Sequence, residues 1–134
     1  MIVVDTSALM AVILNEPTSD ACALALDGAD DLLISAGTMT EALIASSRRG
    51  LGDEMRALLT RLAFTVVPVL EADARRAAQA HDRWGKGVHP AALNFGDCFA
   101  YALAKERSCP LLYVGDDFAQ TDVQGVASAK GEGA

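Results

Sequence analysis

The chain has 134 residues, a length that is typical of one domain. Hydrophobic residues make up 51% of it and aromatic residues only 5%, so aliphatic side chains and alanine must fill most of the core. The net charge of −7 excludes a broad basic surface for coating nucleic acid, but it leaves room for a nucleic-acid enzyme whose bound metal ions supply positive charge locally.

Strands and helices alternate along the chain, starting with a β-branched strand and an apolar helix. The predicted strands are Ile2–Val4, Leu32–Ser35, Phe64–Val69, Leu111–Val114 and a short last edge strand within Asp122–Ala127. The predicted helices are Thr6–Leu14, Thr18–Gly28, Gly37–Arg49, Asp53–Ala63, Glu71–Trp84 and one that Asn94 opens and that continues to Lys105. This alternation predicts an α/β fold with a central, mainly parallel sheet and helices on both faces.

The compartment follows from three features. The longest uninterrupted apolar run, Ala8 to Leu14, has seven residues, whereas a membrane-spanning helix needs about 20. The first residues lack the basic region and cleavage site of a signal peptide. The cysteines Cys22, Cys98 and Cys109 share no CxxC spacing, so we expect buried, reduced thiols. These features predict a soluble, cytoplasmic protein with no membrane partner.

Asp5 is the first candidate functional residue, because it lies where a strand ends and a helix begins. Ligands bind at this carboxyl edge of an open α/β sheet. Asp5, followed by the hydroxyl residues Thr6 and Ser7, is therefore a candidate metal ligand. The alternative is a helix cap, because all three side chains can accept hydrogen bonds from free backbone N–H groups.

Further acids are predicted at the same edge of the sheet. Glu41 lies in the first turns of the helix after the second strand, and Asp116 and Asp117 follow the strand Leu111–Val114. Asp97 opens the helix before that strand. For Glu41 the alternative is an exposed helix face, and for Asp97 it is a carboxylate that stabilises a helix N-terminus.

A cluster of carboxylates is costly unless a proton or a cation neutralises it. Two carboxylates about 4 Å apart repel by about 4 kcal/mol at an effective dielectric constant of about 20. Oxygen ligands without histidine or cysteine suit a hard cation, Mg²⁺ or Mn²⁺. Such an ion activates water and stabilises charge on a phosphoryl group, which is the chemistry of phosphodiester hydrolysis.

Four motifs follow one another along the chain: Val3-Val4-Asp5-Thr6-Ser7-Ala8, a Thr-x-Thr-Glu helix start that ends at Glu41, the segment Asn94–Ala104, and the segment Leu111–Phe118. Together they resemble a PIN-domain ribonuclease, and more closely a VapC-type toxin of a bacterial toxin–antitoxin pair. The resemblance covers about residues 1–127, which we take as the domain, and leaves residues 128–134 as an expected flexible tail. The ordered set of motifs carries the resemblance, since each motif alone is weak.

The resemblance implies a PIN fold and RNA cleavage that depends on Mg²⁺ or Mn²⁺, with tRNA or rRNA as the usual substrate. It also implies a homodimer and inhibition by a cognate VapB-type antitoxin. The family pattern matches the metal ligands to Asp5 and Asp97, and its internal glutamate to Glu41. These three acids and a fourth are expected to form the catalytic set, with a metal-activated water attacking the scissile phosphorus.

The fourth acid is less clearly matched. Many PIN domains carry an acid three residues before the phenylalanine of the last turn, and this chain has Gly115 there. We therefore expect Asp116 to complete the catalytic set, with Asp117 as the alternative. Thr6 or Ser7 is expected to orient the first aspartate or a water molecule.

The candidate RNA contacts are Lys86 and His89, in the Gly- and Pro-rich loop before Asp97, and Arg48 and Arg49 are weaker candidates. The alternative for all four is ordinary solvated surface. Because basic residues are scarce near the motifs, the sequence predicts modest RNA affinity that depends weakly on salt.

Other functions remain open at this point. A Mg²⁺-binding phospho-receiver domain has a similar length, but it needs a pair of acids after the first strand, where this chain has only Asp5. A DNA nuclease of the same fold usually carries long insertions. A catalytically silent PIN-like module would only bind antitoxin or RNA. More apolar residues than a small core needs lie at Ala8–Leu14, Leu24–Leu26 and the stripe Leu58, Leu59 and Leu62. We expect some of this surface to pair with a second copy of the chain or with an antitoxin helix, and the alternative is core packing.

Overall fold

The structure is a computed structural model that describes residues 1–126. The predicted tail, residues 128–134, and the last residue of the predicted domain lie outside this range. Within it, four strands form one parallel sheet: β1 (Ile2–Val4), β2 (Leu32–Ser35), β3 (Thr65–Val67) and β4 (Leu111–Leu112). Their order is β3-β2-β1-β4, so β1 is an inner strand, and Asp5 directly follows its last residue.

Helices cover both faces of the sheet, which confirms the predicted architecture. They are α1 (Thr6–Ile13), α2 (Ser19–Gly28), α3 (Ala36–Arg48), α4 (Gly52–Leu62), α5 (Glu71–Trp84) and α6 (Phe95–Arg107). A short 3-10 turn follows at Phe118–Gln120. In the part of the chain that the structure describes, no helix combines the length and the apolar character needed to cross a membrane.

Two hydrophobic cores lie on opposite faces of the sheet, because successive strand side chains point to opposite sides. Val3 and Leu33 pack with α5 and α6. Val4 and Ile34 pack with the helices α1 to α4. The stripe residues Leu58 and Leu59 are buried in this second core, so the core alternative is right for them, whereas Leu24 is exposed. The three cysteines are free and buried, as predicted.

The ends of two strands differ from the prediction. β3 stops at Val67, before Pro68, which has no N–H to donate to a ladder. β4 stops at Leu112, and the N–H of Val114 is instead bonded to the hydroxyl of Ser7, at 3.0 Å. The predicted last edge strand is wrong within the described residues, because only an isolated bridge between Leu111 and Gly125 forms there.

Candidate active site

Asp5 combines the two roles that the sequence leaves open. It lies at the end of β1 and caps α1, and its Oδ2 accepts from the backbone N–H of Ser7 at 3.0 Å and from the Ser7 hydroxyl at 2.7 Å. Its other oxygen, Oδ1, is buried and has no hydrogen-bond partner among the described residues. Because buried polar atoms are normally paired, this oxygen is available for a ligand.

Burial makes the charge of Asp5 unfavourable. The side chain is 2% exposed, and this burial raises its pKa from 3.8 to about 7. The two hydrogen bonds from Ser7 lower the pKa, whereas the charges of Asp97 and Glu41 raise it. Three acids that are far apart in the chain therefore interact electrostatically at the carboxyl edge of the sheet.

Glu41 is half-buried and turned towards α1 and α6 rather than to an open helix face. Its Oε1 accepts a hydrogen bond from the hydroxyl of Thr6 at 2.7 Å. Its carboxylate also lies against the backbone of Gly96, near the start of α6. The exposed-face alternative is thus not what the structure has.

Asp97 stabilises the start of α6 and also belongs to the acidic group. The Asn94 N–H donates to Asp97 Oδ2 at 3.0 Å, and the Asp97 N–H donates to Asn94 Oδ1 at 2.9 Å, which is a reciprocal capping box. Burial raises the pKa of Asp97 to about 6, the bond from Asn94 lowers it, and the charges of Glu41 and Asp117 raise it.

The two acids after β4 are not equivalent. Both are exposed and follow Gly115, whose φ is +106°. The charge of Asp117 contributes to the raised pKa of Asp97, and Asp116 is not among the causes of that shift. Of the two acids, Asp117 is therefore the one whose charge acts on Asp97.

Whether the site suits a metal ion depends on the donor atoms that its side chains provide. In residues 1–126, no three His, Cys, Asp or Glu side chains form a ready-made metal-binding cluster. The acids are nevertheless coupled, and Asp5 keeps a buried oxygen without a partner. Because all of these donors are carboxylate oxygens, they suit a hard divalent cation that keeps several water ligands, as Mg²⁺ usually does.

The predicted RNA contacts lie in two places: Lys86 and His89 in the loop before Asp97, and Arg48 at the edge of a groove. Lys86 is exposed. His89 packs edge-on against Trp84 at 4.7 Å, and its Nδ1 accepts from the Ala91 N–H at 2.9 Å, so this ring organises the loop. Arg48 lines a groove of about 430 Å³ that Glu41 also lines.

The sequence interpretation missed two residues of this groove. Phe95 is 79% exposed and lies two residues before Asp97, and Gly96 provides the surface against which Glu41 packs. Both belong to the Asn-Phe-Gly-Asp motif, which is the signal that could have found them. Arg49 does not line the groove, whereas Arg48 does.

Comparison with known proteins agrees with this architecture. The PIN domain family matches residues 2–124, so the chain belongs to the PIN-domain family. Its relatives within that family include VapC ribonucleases. Ribonuclease VapC28 of Mycobacterium tuberculosis is 42% identical over 126 residues, which cover 91% of this chain and 95% of that protein.

Two solved structures share the fold. The crystal structure of Mycobacterium tuberculosis VapC20, described as a Sarcin-Ricin loop cleaving toxin, superposes with a TM-score of 0.77 at 18% identity and covers 94% of this chain and 98% of that one. The VapBC-1 structure from nontypeable Haemophilus influenzae gives a TM-score of 0.70 at 18% identity, over 97% and 100% of the two chains. At this identity the likeness concerns the fold alone.

Proposed function

We propose that this protein is a metal-dependent endoribonuclease that hydrolyses phosphodiester bonds in RNA, with tRNA or rRNA as its substrate, and that it acts in the cytoplasm as the toxin of a toxin–antitoxin pair. The observation that carries the nuclease proposal is the carboxyl edge of the sheet. There burial raises the pKa of Asp5, the charges of Asp97 and Glu41 add to that rise, and the buried Oδ1 of Asp5 has no partner in the described chain. Similarity to VapC ribonucleases supports the substrate class.

Asp5 and Asp97 are the proposed ligands of Mg²⁺, with Mn²⁺ as the alternative ion. When bound, such an ion acts as a Lewis acid on a phosphoryl oxygen and lowers the pKa of a coordinated water. Because Asp5 Oδ2 is held by Ser7, its Oδ1 is kept in place for this role.

Glu41 is the proposed acceptor of a hydrogen bond from the attacking water, since Thr6 and Gly96 hold its carboxylate in place next to α6. The fourth acid completes the pocket. The sequence favours Asp116 for this place, and Asp117 is proposed beside it because its charge contributes to the raised pKa of Asp97. Both are exposed, which suits contacts to a metal-bound water or to substrate at the mouth of the pocket.

Partners are proposed from charge, exposure and similarity. Lys86 and Arg48 are the proposed phosphate contacts, whereas His89 contributes by holding the loop that carries Lys86. A cognate VapB-type antitoxin is the proposed inhibitor, supported by the likeness to a VapBC structure. A homodimer is proposed through exposed apolar residues such as Ile44 and Phe95, and a strict monomer in light scattering at micromolar concentration would refute it.

Two alternative functions have less support. In a phospho-receiver domain of the flavodoxin-like type, β1 lies between β2 and β3, whereas here it lies between β2 and β4. A catalytically silent binding module does not need the electrostatically costly group of Asp5, Glu41 and Asp97.

The test compares the wild type with Asp97→Asn, which keeps an oxygen that can accept the Asn94 N–H but removes the charge. We expect Mn²⁺-stimulated RNA cleavage to fall at least about 100-fold, with an unchanged circular dichroism spectrum. Asp20→Asn, an exposed acid in the first turn of α2, is the matched control. Full activity of Asp97→Asn would contradict the site. Sequencing of RNA 5′ ends after induced expression, beside Asp5→Asn, identifies the target.

Co-expression tests the toxin role separately. Expression of the wild type should arrest bacterial growth, and a VapB-type antitoxin should relieve the arrest. Asp5→Asn should be harmless, because it removes a proposed metal ligand. Growth arrest of equal depth by wild type and Asp5→Asn would contradict a toxic effect through RNA cleavage.

A further inference from the structure

The Glu41 carboxylate lies between two different helices: one bonds to it and the other leaves space for it. Oε1 accepts from the hydroxyl of Thr6, the first residue of α1, at 2.7 Å. The carboxylate also lies directly on Gly96 in the first turn of α6. A Cβ built at position 96 would lie 2.6 Å from Oε1 and closer still to Oε2. Carbon atoms essentially never approach this closely, so any side chain at position 96 must displace the carboxylate.

Backbone conformation does not account for this glycine. The glycines with positive φ in the described residues are Gly50, Gly87 and Gly115, so Gly96 has an ordinary helical backbone. Glycine in a helix is less favourable than alanine, because it loses more conformational freedom on folding. Close approach of another group is the remaining reason for a glycine there, and the nearest atoms are all in Glu41.

Thr6 restrains the Glu41 carboxylate from the side of α1. Its side chain is buried, and its hydroxyl lies 2.7 Å from Glu41 Oε1 and 3.3 Å from the carbonyl oxygen of Thr38. Both acceptors belong to α3, so the hydroxyl ties the start of α1 to the turn of α3 that carries Glu41. The carboxylate is also favoured near the N-terminus of α6, where the helix dipole is positive.

We propose that Gly96 and Thr6 are positioning residues that fix the Glu41 carboxylate beside Asp97. Gly96 leaves the space that the carboxylate needs, and Thr6 sets its orientation through one hydrogen bond. The catalytic consequence rests on the proposed nuclease function, whereas the structural coupling of Gly96 to Glu41 does not. The two parts can therefore fail separately.

The structural part is tested by a double-mutant cycle on melting temperature. Gly96→Ala should lower the Tm of the wild type, because the new Cβ pushes the carboxylate away from its hydrogen bond with Thr6. In a Glu41→Ala background the same substitution should raise the Tm, because the obstacle is gone and alanine favours the helix. Gly28→Ala, a helical glycine whose Cβ would meet nothing within 4 Å, should act alike in both backgrounds. A Tm change of the same sign on Gly96→Ala in both backgrounds would overturn the proposal. If Gly96→Ala alone does not fold, the Tm of the Gly96→Ala, Glu41→Ala double variant can still be compared with that of Glu41→Ala.

The catalytic part is tested by steady-state RNA cleavage. Gly96→Ala should lower kcat about 10- to 100-fold with little change in KM, because the displaced group is not an RNA-binding residue. Glu41→Asp should itself lower kcat, but in that background Gly96→Ala should cost at least about threefold less than in the wild type, since a side chain one methylene shorter leaves room for the Cβ. Thr6→Val should lower kcat, and Thr6→Ser should retain more activity than Thr6→Val. Equal effects of Gly96→Ala in the two backgrounds would overturn this part, whereas an inactive wild type would refute the nuclease proposal and leave the Tm cycle standing.

Discussion

Asp5→Asn is expected to stabilise the metal-free protein at neutral pH while abolishing its activity. Burial raises the pKa of Asp5 from 3.8 to about 7. A carboxyl group whose pKa is higher in the folded state favours folding only while it is protonated. Its contribution is complete below about pH 3.8 and is lost as the pH rises through about 7. At about 1.4 kcal/mol per pH unit, the charged form costs the fold about 4 kcal/mol.

The substitution recovers only part of this free energy. The asparagine Oδ1 can still accept from the N–H and hydroxyl of Ser7, so the cap on α1 is kept. Its amide group occupies the place of the unpartnered Oδ1, and an unpaired buried donor costs about 1–3 kcal/mol. The net gain at pH 8 is therefore about 1–3 kcal/mol, or several degrees in Tm for a domain of this size.

The assay is thermal unfolding in EDTA at pH 8, 6 and 4, with Asp20→Asn as an exposed control. The advantage of Asp5→Asn should be largest at pH 8 and disappear by pH 4, where the folded wild type carries a neutral Asp5. Adding Mn²⁺ at pH 8 should raise the Tm of the wild type more than that of the variant, because only the wild type keeps both proposed ligands. A Tm difference that does not change between pH 4 and pH 8 would refute the reasoning.

Three other substitutions test separate parts of the molecule. Ser7→Ala should lower the free energy of unfolding in denaturant by about 1–2 kcal/mol and also reduce RNA cleavage, because the hydroxyl bonds to both the Asp5 carboxylate and the N–H of Val114. A loss of stability without a loss of cleavage would contradict a role of Ser7 in the site. Tyr101→Phe should cost about 1–3 kcal/mol without changing KM, since the hydroxyl bonds to Trp84 and Asp122. Lys86→Ala should weaken RNA binding, measured by fluorescence anisotropy, about twofold to tenfold and reduce its salt dependence. Unchanged affinity would show that Lys86 does not contact RNA.

Local sequence patterns predicted the position of Asp5 and Asp97 because both lie at helix starts that the sequence marks clearly. A β-branched strand precedes Asp5, and Asn94 precedes Asp97 at capping distance. The end of β4 could not be predicted in this way. The N–H of Val114, two residues beyond β4, bonds to Ser7, which is 107 residues away in the chain, and no local pattern reports that contact.

The fourth acid and Gly96 were beyond local patterns for related reasons. Asp116 and Asp117 are adjacent in an exposed turn after Gly115, so sequence position alone does not say which charge reaches Asp97. Glycine in a sequence usually signals a turn or a cap, whereas Gly96 is helical and accommodates a carboxylate from another helix. Both features are set by tertiary packing.

The cap and ligand interpretations of Asp97 are compatible, because a carboxylate has two oxygens. Oδ2 accepts the Asn94 N–H and fixes the side chain against the start of α6, which also places the charge near Glu41. Fixing a ligand through its second oxygen reduces the entropy that an ion must remove on binding. Asp97→Asn and Asp97→Ala should therefore both be inactive, yet the alanine variant should be about 1 kcal/mol less stable than the asparagine variant, because only alanine loses the bond from the Asn94 N–H. Equal stability of the two variants in urea unfolding would show that the capping box contributes nothing, and that the position of Asp97 is set in another way.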